Sequence, residues 1–254
     1  MTGMQEQVPS LGSPRTGLAL AYLHALLDDG PIDPALLARV RTPEVAAESA
    51  AIATRLREND WADLGRHERD NAAIVSSRQR PEIVFMGDSI TEMWSHADPD
   101  FFGTTRVCRG IAGQTTPQML VRFQADVIAL RPRVLHLMGG GNDIVGNTGP
   151  TTLQRVQNHF RAMTDLASSH GIRVILGGLT PSKYSLPGAP QAPWVDALDA
   201  WLRELAQERG YTHVDYFTPL RDADGNMRRA FSCDEVHPNR RGYAVMRAAL
   251  EPVL

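Results

Sequence analysis

The stretch Ile83-Val84-Phe85-Met86-Gly87-Asp88-Ser89-Ile90-Thr91 decides how the rest of the chain is read. Ile83 to Met86 are all apolar, the first two β-branched, and they are bounded by Pro81 before and Gly87-Asp88 after, as in a short buried strand. An unbroken apolar run suits a parallel strand covered on both faces. The run stops at a glycine and delivers Ser89 into the turn that opens the next helix. Open α/β sheets bind ligands beyond the carboxyl ends of their strands, and the unpaired N–H groups of a helix start favour an anion there. Alone, Ser89 reads first as a turn residue or a helix N-cap. Its meaning depends on the segments around it.

Downstream, further strand-like runs follow at Thr105 to Cys108, Val134 to Met138, Val174 to Leu176 and His213 to Tyr216. Helical patterns fall between them at about Thr91 to Ser95, Pro117 to Leu130, Thr151 to His170 and Trp194 to Arg209, and Asn239 to Leu254 closes the chain. This alternation predicts an α/β fold, a parallel sheet with helices on both faces. Right-handed crossovers then put the loops after the strands along one edge. The two long loops, Thr180 to Pro193 and Thr218 to Val236, belong to the segments where function is expected.

Upstream, Met1 to Arg15 reads as a flexible arm rich in Gly, Pro, Ser and Gln. From Leu18 to Arg57 the composition is helical, broken by Pro31 to Pro34 and by Thr42-Pro43 into three short helices, with Thr42 as cap and Pro43 at the first helical position. Another helical segment runs from Trp61 to about Val75. The chain therefore divides into an arm and helical N-terminal extension (1–80) and a main domain (81–254). The extension is expected to pack outside the main domain, as a cap beside the cleft or as the contact of a homo-oligomer.

The 254 residues carry 43% hydrophobic and 22% charged side chains and a formal charge of -3, values that suit one α/β core and give no reason to expect nucleic acid or an anionic membrane as partner. No apolar run reaches the length of a membrane span, and Gly17 to Leu27 lacks the order of a secretory signal and reads as an amphipathic helix. Two cysteines, Cys108 and Cys233, exclude a disulfide framework, so a cytoplasmic location is expected. The eight histidines include no metal-binding pair at i, i+4 with a carboxylate, so neither metal nor cofactor is expected.

Three later segments supply what a serine lacks. Arg109-Gly110-Ile111-Ala112-Gly113-Gln114-Thr115-Thr116-Pro117 is a glycine turn opening a helix, where Gly113 can offer a backbone N–H to an approaching oxygen. It lacks the three glycines of a dinucleotide fingerprint. Gly139-Gly140-Gly141-Asn142-Asp143 brings a side-chain amide, Asn142, with Asp143 as a helix cap. Asp234-Glu235-Val236-His237-Pro238 lets Asp234 curl back onto one nitrogen of His237 and leaves the other as a base, with Pro238 at the first position of the last helix. Each segment alone has an ordinary structural reading. Together they form a nucleophile, a base with its orienting carboxylate, and oxyanion donors from the N–H groups of Ser89 and Gly113 and from Asn142. The α/β-hydrolase elbow G-x-S-x-G is absent, because Thr91 stands where its second glycine would be.

The blocks Gly87-Asp88-Ser89-Ile90, Gly110-x-x-Gly113, Gly140-x-Asn142-Asp143 and Asp234-x-x-His237 resemble, in order, those of the SGNH hydrolases of the GDSL esterase and lipase superfamily. The resemblance covers roughly Glu82 to Leu254. It implies a three-layer α/β/α flavodoxin-like sheet of order 2-1-3-4-5, Ser89 as nucleophile, His237 as base, Asp234 as its orienter, and Gly113 and Asn142 beside Ser89 as oxyanion donors. One departure is Cys108, where the second block often begins with Asn. The segments Met86 to Trp94 and Gly110 to Thr116 are most similar to the platelet-activating-factor acetylhydrolase-like branch, which implies a short-chain, acetyl-directed esterase acting on a small lipid, sugar or other alcohol. Two alternatives stay open at this point: an acyltransferase using the same acyl-enzyme, and a catalytically silent binding module. Asp88, Trp94, Arg109, Tyr184 and Trp194 are the candidates for contacting the small-molecule substrate, and Cys233 reads as a small buried residue.

Overall fold

A computed structural model describes residues 17–181 and 195–254. Five parallel strands, β1 (Ile83–Gly87), β2 (Arg106–Gly110), β3 (Val134–Leu137), β4 (Arg173–Gly177) and β5 (Thr212–Val214), form one sheet in the order β2-β1-β3-β4-β5. Gly87 pairs with Gly110, and Met86 with both Arg109 and Leu137, so the loops that follow β1, β2 and β3 leave the sheet side by side. The arm Met1 to Arg15, most of the loop Thr180 to Pro193, and the candidates Tyr184 and Trp194 lie outside the described residues.

Alternation along the strands builds two cores. Val84, Met86, Leu135, Leu137, Val174 and Leu176 face one side, against α6 (Thr116–Phe123), α8 (Leu153–Ser169) and α9 (Val195–Arg209). Ile83, Phe85 and Ile175 face the other, against α5 (Ser89–Ala97) and α11 (Arg240–Leu250). The N-terminal extension begins with α1 (Gly17–Leu27), which buries Leu23, Leu26 and Leu27 in this second core. It continues through α2 (Pro34–Val40) and α3 (Pro43–Asn59), where Thr42 caps by accepting from the Val45 N–H and Pro43 opens the helix. A 3-10 turn at Leu64–Arg66 then leads into α4 (Glu68–Ser77), which breaks the single helix expected from Trp61 to Val75.

Other expected boundaries shift for local reasons. The run His213 to Tyr216 leaves the sheet early, because Asp215 accepts from the Thr218 N–H at 3.0 Å to start α10 (Phe217–Leu220), while the Tyr216 hydroxyl bonds His136 Nε2 at 2.9 Å inside the core. Pro238 is not the first helical residue. Asn239 caps α11 instead, its Oδ1 accepting from the Gly242 N–H at 3.0 Å. Asp143 sits within the short α7 (Gly141–Ile144) and caps a neighbour: its carboxylate accepts from the Thr116 N–H at 2.9 Å and from the Thr116 hydroxyl at 2.6 Å, at the start of α6.

Candidate active site

Ser89 is the first residue of α5, with Asp88 as its cap, accepting from the Ile90 N–H at 3.0 Å. This position puts the Ser89 N–H among those at the helix start that have no helical partner. The loop before α11 brings His237 alongside. His237 Nε2 lies 3.0 Å from Ser89 Oγ, and His237 Nδ1 lies 2.7 Å from Asp234 Oδ2. The tautomer protonated on Nδ1 donates to the carboxylate and accepts the serine hydroxyl at Nε2.

Asp234 is itself held. Its Oδ1 accepts from the N–H groups of Val236 at 2.9 Å and His237 at 2.7 Å and from the Ser232 hydroxyl at 3.2 Å. Burial pushes the Asp234 carboxyl up, but the His237 contact and these N–H donors outweigh it and hold it below the usual range. Glu235, inside the turn, takes the left-handed conformation at φ 65°, the geometry that lets the chain fold Asp234 back on His237.

Gly113 lies in the loop after β2 with φ 79°, a conformation open to glycine at little cost. At Gly110 the constraint is space: a Cβ there would run into the Thr91 and Glu92 backbone of α5. Hydrogen bonds tie the three loops together. Asn142 Nδ2 donates to the Gln114 carbonyl at 3.0 Å and, at a longer 3.3 Å, to Asp88 Oδ2. Asn147 Nδ2 donates to Asn142 Oδ1 at 2.8 Å and to the Gly113 carbonyl at 3.0 Å. Asp88, Gly113, Asn142, Ser89, His237 and Asp234 thus belong to one connected patch. Burial raises the Asp88 carboxyl to about 6 against the pull of the Ile90 N–H, and burial likewise takes Asp143 to about 6.

Two expected cleft residues lie elsewhere. Trp94 is fully buried in the second core, against Phe85, Phe101, Tyr216 and Tyr243, because Ile90, Met93 and Trp94 share the face of α5 that meets the sheet. Arg109 is also buried, donating to Asn71 Oδ1 of α4 at 2.8 Å and to the Cys108 carbonyl at 2.7 Å. Cys233 is only half-buried, its thiol donating to the Asp28 carbonyl at 3.0 Å. Cys108 joins β2 to α5, its thiol 3.3 Å from the Thr91 carbonyl.

Four residues that the sequence did not single out support the site. Glu92, buried on α5, accepts from the Ala112 N–H at 2.6 Å and from Arg66 at 3.0 Å, which fixes the loop carrying Gly113. Arg122 is fully buried and donates to the Gly87 carbonyl at 2.9 Å, to Gln114 Oε1 at 2.5 Å and to Asp126 at 2.6 Å, binding the end of the Ser89 strand to the second loop. Gln114 in turn donates to the Ala62 carbonyl at 2.7 Å. Asn147 is the fourth. Among the described residues no group of three or more His, Cys, Asp or Glu is placed to hold a metal, and no helix is long and apolar enough to cross a membrane.

A five-stranded 2-1-3-4-5 sheet carrying Ser, His and Asp at its strand-end edge defines the SGNH class of hydrolases. The profile of the GDSL-like lipase/acylhydrolase family matches residues 85–245, and the chain belongs to that family of carboxylic ester hydrolases. A solved structure from Bacteroides fragilis, provisionally classed as an acylhydrolase, is 35% identical and superposes with a TM-score of 0.69 over 76% of this chain and 96% of its own. The platelet-activating factor acetylhydrolase IB subunit alpha1 of Bos taurus is 24% identical over 70% of this chain and 77% of its own length. The lipoprotein YqeF of Bacillus subtilis, itself uncharacterised, is 27% identical, and the match spans 46% of this chain and just over half, 56%, of that protein.

Proposed function

We propose that this chain is a serine esterase that removes short acyl groups, acetyl above all, from a small alcohol through an acyl-enzyme. The observation that carries the reading is His237 standing between Asp234 at 2.7 Å and Ser89 at 3.0 Å. Ser89 Oγ attacks the ester carbonyl as its proton passes to His237 Nε2, and the carbonyl electron pair moves onto oxygen. The N–H groups of Ser89 and Gly113 receive that charge together with Asn142 Nδ2, whose bond to Gln114 keeps it oriented while its longer contact with Asp88 gives way. Collapse breaks the bond to the alcohol oxygen, which takes the proton from His237. The acyl group is left on Ser89. Water then attacks the acyl carbon, giving a proton to His237, and collapse breaks the bond to Ser89 Oγ, which takes that proton back as the acid leaves.

The preference for short acyl groups draws on the likeness of the Ser89 and Gly113 segments to the acetylhydrolase-like branch and on the bovine relative, whose name states an acetylhydrolase. An ester panel of increasing acyl length, run on the wild type and Ser89→Ala, tests the reading. Turnover should fall with acyl length in the wild type and be absent in the variant. Retained turnover in Ser89→Ala sinks the assignment.

A further inference from the structure

A cleft of about 510 Å³ opens beside Gly113. One wall is the extension: Ala53, Leu56 and Arg57 of α3, and Trp61 just after it. The facing wall is the loop carrying Gly113, together with Asn147. The two walls are pinned to each other. Gln114 donates to the Ala62 carbonyl and Gln118 to the Trp61 carbonyl, both at 2.7 Å, and Arg66 reaches Glu92, which also holds Ala112. The family profile begins only at residue 85, so this wall is added by a segment of the chain outside it.

The volume lies in the range of about 300–1,000 Å³ that small-molecule sites occupy, room for a ring or a short chain far larger than a methyl group. If the acyl group is short, the bulk of the ester is the alcohol. The α3 wall presents an aromatic face and a charge to it. Trp61 leaves 38% of its surface uncovered, a platform for an apolar or ring-shaped body. Arg57 is exposed, donates only to Thr54 Oγ1 at 3.2 Å, and forms no ion pair among the described residues. Asp63, the acidic residue on this wall, is nine-tenths buried, and burial pushes its carboxyl toward the neutral form. Of the charged side chains lining the cleft, Arg57 is exposed and Asp63 is buried, so the charge turned outward is positive.

We propose that the α3 cleft receives the alcohol portion of the ester and that Arg57 selects alcohols bearing an anionic group, with Trp61 packing on the body that carries it. That the ligand is the alcohol of an ester rests on the esterase reading, whereas the binding site itself does not. A guanidinium in this position acts equally on ground and transition state, so its loss raises KM and leaves kcat little changed.

The test uses 4-acetoxybenzoate and its neutral methyl ester, two probes of one shape that differ in charge. In the wild type the ratio of kcat/KM, anionic over neutral, should fall about tenfold on Arg57→Gln, the size of one charge-assisted hydrogen bond at a partly exposed site, and Arg57→Lys should restore most of it. Affinity for 4-acetoxybenzoate measured by calorimetry in Ser89→Ala, with and without Arg57→Gln, should drop by a similar factor. Hydrolysis of both probes with a ratio and an affinity that Arg57→Gln does not move overturns the proposal and leaves the esterase reading standing. Arg57-dependent binding of the anion without hydrolysis of either probe supports the site and refutes the esterase reading.

Discussion

Replacing Asp234 by Asn removes one charge and almost no volume, and the structure states what should follow. The new amide can keep its oxygen on the N–H groups of Val236 and His237, which lie 2.9 and 2.7 Å from Asp234 Oδ1, so the turn has reason to hold. The other atom, 2.7 Å from His237 Nδ1, then becomes an NH₂ group and a donor. A donor there forces His237 into the tautomer protonated on Nε2, which points an N–H at Ser89 Oγ in place of a lone pair. The base is lost while every atom stays near its place. The same substitution in a chymotrypsin-type triad costs about 10⁴-fold in kcat. Here His237 and Asp234 keep about a fifth to a quarter of their side-chain surface exposed, which lets water compete for Nδ1, so a loss of about 10³- to 10⁴-fold is expected. The assay is hydrolysis of p-nitrophenyl acetate at neutral pH, corrected for the spontaneous rate, with the thermal midpoint as a check on folding. A folded Asp234→Asn within tenfold of wild type would refute the role given to the Asp234 contact.

Four further substitutions probe the surroundings. Asn147→Ala removes the donor that fixes Asn142 Oδ1 and the Gly113 carbonyl; kcat should fall about tenfold, well short of the roughly 100- to 1000-fold expected for losing the oxyanion donor itself in Asn142→Ala, and equal losses in the two kinetic series would contradict the division of labour. Gly113→Ala meets no obstacle nearer than Asn147 Nδ2 at 3.8 Å, so its cost comes from φ 79° alone: about 1 kcal/mol of stability by denaturant titration, with a kcat loss of about 100-fold as the N–H is turned aside. For Asp143, burial raises the folded-state carboxyl from 3.8 to about 6, so its contribution is fully present below the unfolded value and is lost as pH rises through 6. That loss is at most about 3 kcal/mol. Asp143→Asn should therefore gain in thermal midpoint relative to wild type by several degrees between pH 4 and pH 7, and a constant difference across that range would count against the burial effect.

What could be read from the sequence was local and periodic. The Ile83 to Met86 run, the cap at Thr42 and the spacing of Asp234 to His237 are short-range patterns. They anticipated β1, α3 and the turn that brings a carboxylate to the imidazole. Trp94 was misread although its spacing from Ile90 and Met93 already put it on the buried face of α5; its closeness to Ser89 in sequence obscured this. Arg109 and Glu92 could not have been assigned, because their partners Asn71 and Arg66 come from the extension and the contact exists only after the fold closes. The same holds for α3. Its composition is that of an ordinary surface helix, and only the bonds that Gln114 and Gln118 donate to the Ala62 and Trp61 carbonyls, with the one Glu92 accepts from Arg66, turn it into a cleft wall.

The central claim is that Ser89 is a nucleophile made so by His237. The most direct measurement is the intact mass of the protein after exposure to a fluorophosphonate, followed by peptide mapping. The expected result is one adduct, on Ser89, formed rapidly in wild type, absent in Ser89→Ala, and slowed by orders of magnitude in His237→Ala. No adduct, an adduct on another residue, or equal labelling in wild type and His237→Ala would contradict it.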